Sequence, residues 1–412
     1  FFKQKTAYEI PLRLVGSEMC IRDRGLIHHL DNKTNIDAGG IIRTPADTYT
    51  SEERFDMEWN TFFQDYPQIV GMSGDLPGPN TFLTTEDFGV PVLAVRDSNG
   101  KFKAYANVCA HRGVTVEANK RGEKTRFSCP FHGWTFNNDG ELVGYPKKDQ
   151  FGEIDKACYG LKELPATEKF GFLWVHPSRE GTINFEELLG EDLVKEFESW
   201  NFESLVFEHQ EEYVTDMNWK LAIDTFGETY HFSVLHKDSL HEVFHGNCQM
   251  FDNFNRNGRL ILCRRAIDEM RKLPESDWNI CAGTLPVYYL FPNIIFMPTQ
   301  EGAFLVQEYP LENSPHKSVS KISFYFYPHV LEHVKQLEKQ GINGKELLQQ
   351  QYNGFASVIR DEDYVAAASS HKGLKSGNID YLTFGKNEPA LHHYHNTYRE
   401  ALGLQSLPLE KA

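Results

Sequence analysis

The chain has 412 residues, enough for two or three domains. It is 40% hydrophobic and 13% aromatic, a globular composition with ample material for a core. Its 42 basic and 58 acidic residues leave a net charge of −16, which argues against a nucleic-acid binder and favours contact with a basic surface on a partner. No apolar run approaches the ~18 residues of a membrane span. The seven cysteines are an odd, scattered set in a long chain, so they do not read as a disulfide framework. A reducing cytoplasm is the expected compartment.

In chain order, residues 1–24 lack a signal-peptide layout, because no uninterrupted apolar stretch follows the basic start. They resemble translated adapter sequence and are set aside as a non-native head. Residues 25–68 read as an N-terminal helical segment that packs on the larger domain. Within them, "SEERFDMEWNTFF" at 51–63 has a Ser cap, an acidic first turn and apolar residues at helical spacing. Residues 69–178 are strand-rich. "PVLAVRDSNGKFKAYANVC" places two β-type runs around a Ser-Asn-Gly turn, and "RFSCPFHGWTFNNDGELVGYP" repeats the form around Asn-Asp-Gly. "FGFLWVHP" at 170–177 is another buried strand. From residue 179 to 412, helical stretches (183–200, 217–235, most of 330–371) alternate with β-rich ones such as "PVYYLFPNIIFMPT" and "KISFYFYP". The expected class is α+β: a small all-β domain, then a larger domain of antiparallel sheet with helices.

Two short stretches carry the chemistry of the first domain. "CAHRG" at 109–113 and "CPFHGW" at 129–134 each pair one Cys with one His, and seventeen residues separate His111 from Cys129. A zinc finger pairs Cys with Cys and His with His. Mixed pairs on two hairpin tips suit a two-iron cluster instead, with Cys109 and Cys129 on one iron and His111 and His132 on the other. Gly113, Pro130 and Gly133 suit tight turns that aim backbone N–H groups at bridging sulfides.

The pattern C-x-H-R-G followed by C-P-x-H-G-W resembles the Rieske domain of the large (alpha) subunit of Rieske non-heme iron oxygenases. The likeness runs over nearly all of residues 50–402, including "FGKNEPALHHYHNTYREALG" near the end. It implies an all-β Rieske [2Fe-2S] domain over 69–178 and a helix-grip (START-like) catalytic domain over 179–412.

A Rieske domain alone only shuttles electrons, so a second redox centre is expected downstream. "NWKLAIDTFGETYHFSVLH" at 218–236 holds His231 and His236 five residues apart. In a regular helix that is ~140° of rotation, so both face one ion only where the helix ends or distorts between them. Glu228, three residues before His231, is expected on the same helical face. Two His and one carboxylate on one side of an ion form the facial triad of non-heme Fe(II) oxygenases. The resemblance makes His231 and His236 iron ligands. It matches Glu228 to the family's bridging carboxylate, which links the Rieske His of one subunit to the iron-bound His of the next. Thr225 stands where many members have Asn. For the third ligand, "VIRDEDYVAAASSHKGL" at 358–374 offers Asp361, Glu362 and Asp363, and the residues alone leave open a solvated acidic helix start. The resemblance selects Asp363, with Asp361 as the fallback.

The resemblance further implies a flavin or iron–sulfur reductase or a ferredoxin as electron donor, drawing on NAD(P)H indirectly, since the chain has no Gly-rich dinucleotide fingerprint. It implies O2 as co-substrate and a homotrimer, with or without a beta subunit. The expected reaction hydroxylates a small, aromatic organic substrate. The alternative is N-demethylation or cleavage of a quaternary ammonium compound. "PVYYLFPNIIFMP" at 286–298 would wall the pocket for either, through apolar contact or cation–π attraction. A remote rival is a zinc metalloprotease through "HEVFH" at 241–245, which fits H-E-x-x-H but leaves the Cys/His loops unexplained. "HHYH" at 392–395 reads as an exposed or interface cluster.

Overall fold

The computed structural model describes residues 24–411. The set-aside head, apart from its last residue, lies outside them. Two compact units emerge: residues 58–184 with 202–207 form the smaller, and 24–57, 185–201 and 208–411 the larger.

The smaller unit is built from antiparallel strands. A five-stranded sheet runs in the order Glu163–Leu164, Phe102–Ala106, Val92–Arg96, Thr81–Thr85, Arg121–Glu123. Alternating apolar residues supply its inner face, and Phe82, Leu93, Val95 and Tyr105 join Phe127, Trp134 and Phe136 in one core. The two hairpin turns read from the sequence use the same device. Asp97 Oδ1 accepts from the N–H groups of Asn99 and Lys101, and Asn137 Oδ1 accepts from those of Asp139 and Glu141. A second hairpin group, Arg126–Ser128, Thr135–Asn137 and Leu142–Gly144, carries the second Cys/His stretch at its tip. Residues 58–68, read above with the N-terminal segment, group with this unit. The π-helical turn Trp59–Gln64 leads directly into strand Gln68–Met72, which pairs with Phe172–Val175.

The larger unit centres on a seven-stranded sheet in the order Val206–Thr215, Ser314–Phe326, Gly302–Leu311, Ile294–Pro298, Thr284–Leu290, Asn257–Arg264, Phe244–Phe254. The pairings from Phe244–Phe254 through Ser314–Phe326 are antiparallel. Its central strands are buried throughout, so they read as continuous apolar runs rather than alternating ones. The expected α+β class is what the chain adopts.

Helices are placed where caps and periodicity put them. Asn218 opens Trp219–Asp224, its side-chain oxygen accepting from Lys220 N–H at 3.0 Å, a cap worth about 1 kcal/mol. The same Asn218 amide donates to Tyr49 O and Pro315 O, which fixes this helix against the N-terminal segment and a sheet strand. Strand Ile42–Pro45 pairs with Tyr381–Phe384, and Leu26 enters a core with Ile261 and Cys263, so residues 24–57 belong to this unit. Near the C-terminus, Gly344–Val358 and Tyr364–Lys375 are joined by the π-helical turn Ile359–Asp363. No helix among the described residues is long and apolar enough to cross a membrane.

Candidate functional site

The two Cys/His stretches fold into matching turns. In the first, Cys109 N–H donates to Val114 O at 2.8 Å and Gly113 N–H to Cys109 O at 2.9 Å. In the second, Cys129 N–H donates to Trp134 O and Gly133 N–H to Cys129 O, at the same two distances. Both turns need a residue at positive φ, and Gly113 (+75°) and Gly133 (+70°) supply it. The first loop is braced from inside by Asn107, whose Oδ1 accepts from Val116 and Glu117 N–H and whose Nδ2 donates to Glu117 O.

The geometry brings all four predicted residues of this domain together. Cys109 and Cys129 are buried and unbridged. Burial pushes the Cys109 thiol up; the backbone N–H groups of His111 and Arg112 pull against that, and the neighbouring Cys129 adds to it. The rings of His111 and His132 lie 4.7 Å apart, and His111 stacks on Trp134 of the second loop at 4.8 Å. Burial, His132 and Arg112 lower the His111 pKa, which favours the neutral imidazole. His111 Nδ1 is a buried polar atom with no hydrogen-bond partner among the described residues. An orphaned imidazole nitrogen beside two buried thiols fits the donor set of a [2Fe-2S] cluster.

In the larger unit, the helix begun at Trp219 ends at Asp224, where Gly227 N–H closes on Asp224 O. The helix expected over 217–235 therefore stops before His231, and a 3₁₀ turn carries that residue instead. Glu228 does not sit on a helical face as expected, because it follows the helix in a loop. It reaches His231 differently, by capping the short 3₁₀ turn Tyr230–Ser233. Its Oε2 accepts from the N–H groups of Tyr230 and His231, and its Oε1 meets His231 Nδ1 in a short contact. Thr225 Oγ1 donates back to Ala222 O, a local bond that keeps it out of the site.

His231, His236 and Asp363 converge, with one ligand atom from each lying within 4.8 Å of the others. His231 Nε2 is 3.0 Å from His236 Nε2, and Asp363 Oδ1 is 3.2 Å from the latter and 3.5 Å from the former. Each ring turns its Nδ1 outward to a carboxylate, Glu228 for His231 and Glu362 for His236. Two imidazole lone pairs facing each other beside a carboxylate require a positive charge between them. Burial alone would lower the His231 pKa, but Asp363 and Glu228 raise it to about 9; burial also opposes the rise at His236, which Asp363 and Glu362 drive. The residues thus fit a cation. The next residue, Tyr364, is buried, and its hydroxyl donates to Glu308 at 2.6 Å. Asp361, the fallback ligand, is exposed and paired with Arg360 at 2.6 Å.

Other sequence features take structural roles. The H-E-x-x-H stretch is not a helix: His241 lies in a single 3₁₀ turn against Arg265, and His245 sits in a strand paired with Asp268 at 3.0 Å. The cluster at 392–395 is not exposed, since it lies in helix Pro389–Ala401 with His392 and His395 buried. His395 Nε2 is 2.9 Å from Asp224 Oδ1, and Tyr49 OH donates to Asp224 Oδ2 at 2.7 Å. Tyr288 and Tyr289, expected in a pocket wall, pack into the core against Phe197 and Tyr394. Sequence reasoning assigned no function to Asp224, Glu362 or Ser239. Only the run of three acids at 361–363 hinted at Glu362.

Comparison with known proteins gives the family. A model described as "Ring hydroxylating alpha subunit (catalytic domain)" matches residues 202–404, and one described as "Rieske [2Fe-2S] domain" matches residues 67–165. The chain is 30% identical over 212 residues to the large subunit of anthranilate 1,2-dioxygenase from Acinetobacter baylyi, which is 50% of this chain and 45% of that protein. It is 24% identical over 388 residues to choline monooxygenase of Beta vulgaris, which is 92% of this chain and 81% of that protein. The chain spans about half the length of the aromatic-acid dioxygenase subunits it matches. Among solved structures, the quaternary ammonium Rieske monooxygenase CntA with L-carnitine superposes with a TM-score of 0.70 at 20% identity, covering 89% of this chain and 97% of that one. A naphthalene 1,2-dioxygenase variant superposes with a TM-score of 0.69 at 19% identity, covering 89% and 93%. Both share the fold. With a Rieske [2Fe-2S] domain followed by a ring-hydroxylating alpha-subunit catalytic domain along one chain, this protein is homologous to the large subunits of the Rieske non-heme iron oxygenases, a family of oxidoreductases that work with a [2Fe-2S] cluster and a mononuclear iron.

Proposed function

We propose that the chain is the oxygenase component of a multi-component system. A reductase or ferredoxin delivers electrons to a cluster held by Cys109, Cys129, His111 and His132, and a mononuclear iron is held by His231, His236 and Asp363. The observation that carries the reading is the convergence of two Nε2 atoms and one carboxylate oxygen on one point. When bound, the cluster passes single electrons and the iron offers open coordination positions to O2. The protein's share is to hold those donors in place. Glu228 fixes the His231 ring through Nδ1, and its position suits the bridging role that the family assigns to this carboxylate. A head-to-tail homotrimer, in which one subunit's cluster serves its neighbour's iron, is part of the proposal.

The first expectation placed an aromatic substrate ahead of a quaternary ammonium compound. Choline and glycine betaine monooxygenases recur among the relatives, which supports the reverse order. Choline monooxygenase aligns over 92% of this chain, whereas the anthranilate and toluate dioxygenases align over 50% and 62%. We therefore favour oxidation of a small quaternary ammonium compound, with hydroxylation of a small aromatic acid as the second reading. The latter rests on the 30% identity to the anthranilate enzyme. With a reductase supplied, oxygen uptake coupled to product formation should rise with choline- or betaine-like substrates and stay at background with benzoate-like ones. The opposite pattern would reverse the order.

Metal content tests the class of site. Anaerobically purified protein should be red-brown and carry about three irons and two labile sulfides per chain, from one cluster and one separate iron. Zinc without labile sulfide would overturn the oxygenase reading.

A further inference from the structure

Each imidazole of the mononuclear site is held from behind by a carboxylate, and only one of these carboxylates has a family role. Glu228 holds His231. Glu362 does the same for His236, with Oε2 2.8 Å from Nδ1. Ser239 Oγ donates to that same oxygen at 3.0 Å, so Glu362 is itself held. Ser239 is placed by the turn after His236, where its backbone N–H donates to His236 O at 3.0 Å. The His236 side chain is only 1% exposed, whereas Glu362 is 30% exposed.

A carboxylate accepts and does not donate, so the proton between them belongs to His236 Nδ1. That choice leaves the Nε2 lone pair free, and Nε2 is the atom facing His231 Nε2 and Asp363 Oδ1. Glu362 and Asp363 are consecutive residues of the π-helical turn. One turn thus supplies a ligand carboxylate and, beside it, the carboxylate that orients a second ligand.

We propose that Glu362 is a positioning residue for the mononuclear iron: it fixes the tautomer and ring plane of His236, and Ser239 fixes Glu362. The proposal rests on the reading of His231, His236 and Asp363 as the ligands. The two outer carboxylates then divide their work. Glu228 lies where the family brings in the electron, and Glu362 serves metal retention.

The test measures Fe(II) affinity of the full chain by anaerobic competition with a ferrous chelator, in wild type, Glu362→Ala, Glu362→Gln and Ser239→Ala. Affinity at the mononuclear site should fall roughly 10–100-fold in Glu362→Ala, the range for loss of an outer-shell partner. It should fall less in Glu362→Gln, which keeps size and an acceptor but loses the charge, and least in Ser239→Ala. The visible spectrum of the cluster and the melting temperature of the iron-free protein should match wild type. Affinity within about two-fold of wild type in both Glu362 variants overturns the proposal, since outer-shell loss costs more than that. So does a lower melting temperature with unchanged affinity, which would mark a structural role. Should Glu362→Ala not fold, the isosteric Gln variant carries the same test. A wild type that holds no mononuclear iron fails differently, by overturning the ligand assignment itself.

Discussion

His231→Ala protein is expected to stay red-brown, retain its labile sulfide and lose its mononuclear iron, so that turnover falls to background. The site offers three donor atoms, and removing one leaves His236 and Asp363 too few for a facial triad. The loss also strips Glu228 of its ring partner, leaving a largely buried carboxylate with only the N–H groups of Tyr230 and His231. The four cluster residues belong to the other compact unit, so their donor set is untouched. Iron analysis should show a drop of about one iron per chain with sulfide unchanged. An iron count equal to wild type would remove His231 from the ligand set.

Glu228→Gln should separate electron passage from metal binding. The substitution keeps the length of the side chain and an oxygen that can still accept from the backbone, but it replaces a charged acceptor with a neutral amide. Both iron centres should load, and external reductant should still bleach the cluster. Turnover should fall by about 100-fold, the upper range for loss of an outer-shell partner, because the proposed link between cluster and iron is weakened. Single-turnover reduction followed by product analysis distinguishes the cases. Near-wild-type turnover would end the bridging role, and loss of the mononuclear iron would make Glu228 a ligand in its own right.

What the sequence made legible was local. The Cys/His stretches, their turn glycines, the hairpins around Asp97 and Asn137 and the Ser51 cap each occupy a few consecutive residues. Their chemistry is set by neighbours in the chain, as when Arg54 N–H donates to Ser51 Oγ. The His231/His236 spacing demanded a break between the two, whereas the chain ends its helix earlier, at Asp224, and carries His231 on a 3₁₀ turn. What stayed hidden depends on contacts across long stretches of chain. Glu362 reaches His236 across 126 positions and His395 reaches Asp224 across 171, and no periodicity encodes either pairing. Glu228 was placed on a helical face because spacing assumes a regular helix, whereas a loop carboxylate capping a 3₁₀ turn makes the same contact. The aromatic run at 286–298 shows the same limit of local reading. Composition tells that Tyr288 and Tyr289 will be buried but not whether they face a pocket or a neighbouring Phe or Tyr ring.

The wide turn Ile359–Asp363 has a consequence for how this protein can vary. In a regular α-helix each residue advances ~100° around the axis, and a π-helical turn holds roughly one residue more before it closes. The direction of Asp363 is therefore written in the number of residues that precede it as much as in its own side chain. Substituting a neighbour in this turn leaves that number alone. Removing one residue swings Glu362 and Asp363 away together, taking a donor and the support of another donor in a single step. Apart from Glu362 and Asp363, the segment can tolerate drift in identity while remaining intolerant of drift in length, a constraint on descent that no inspection of individual side chains would reveal.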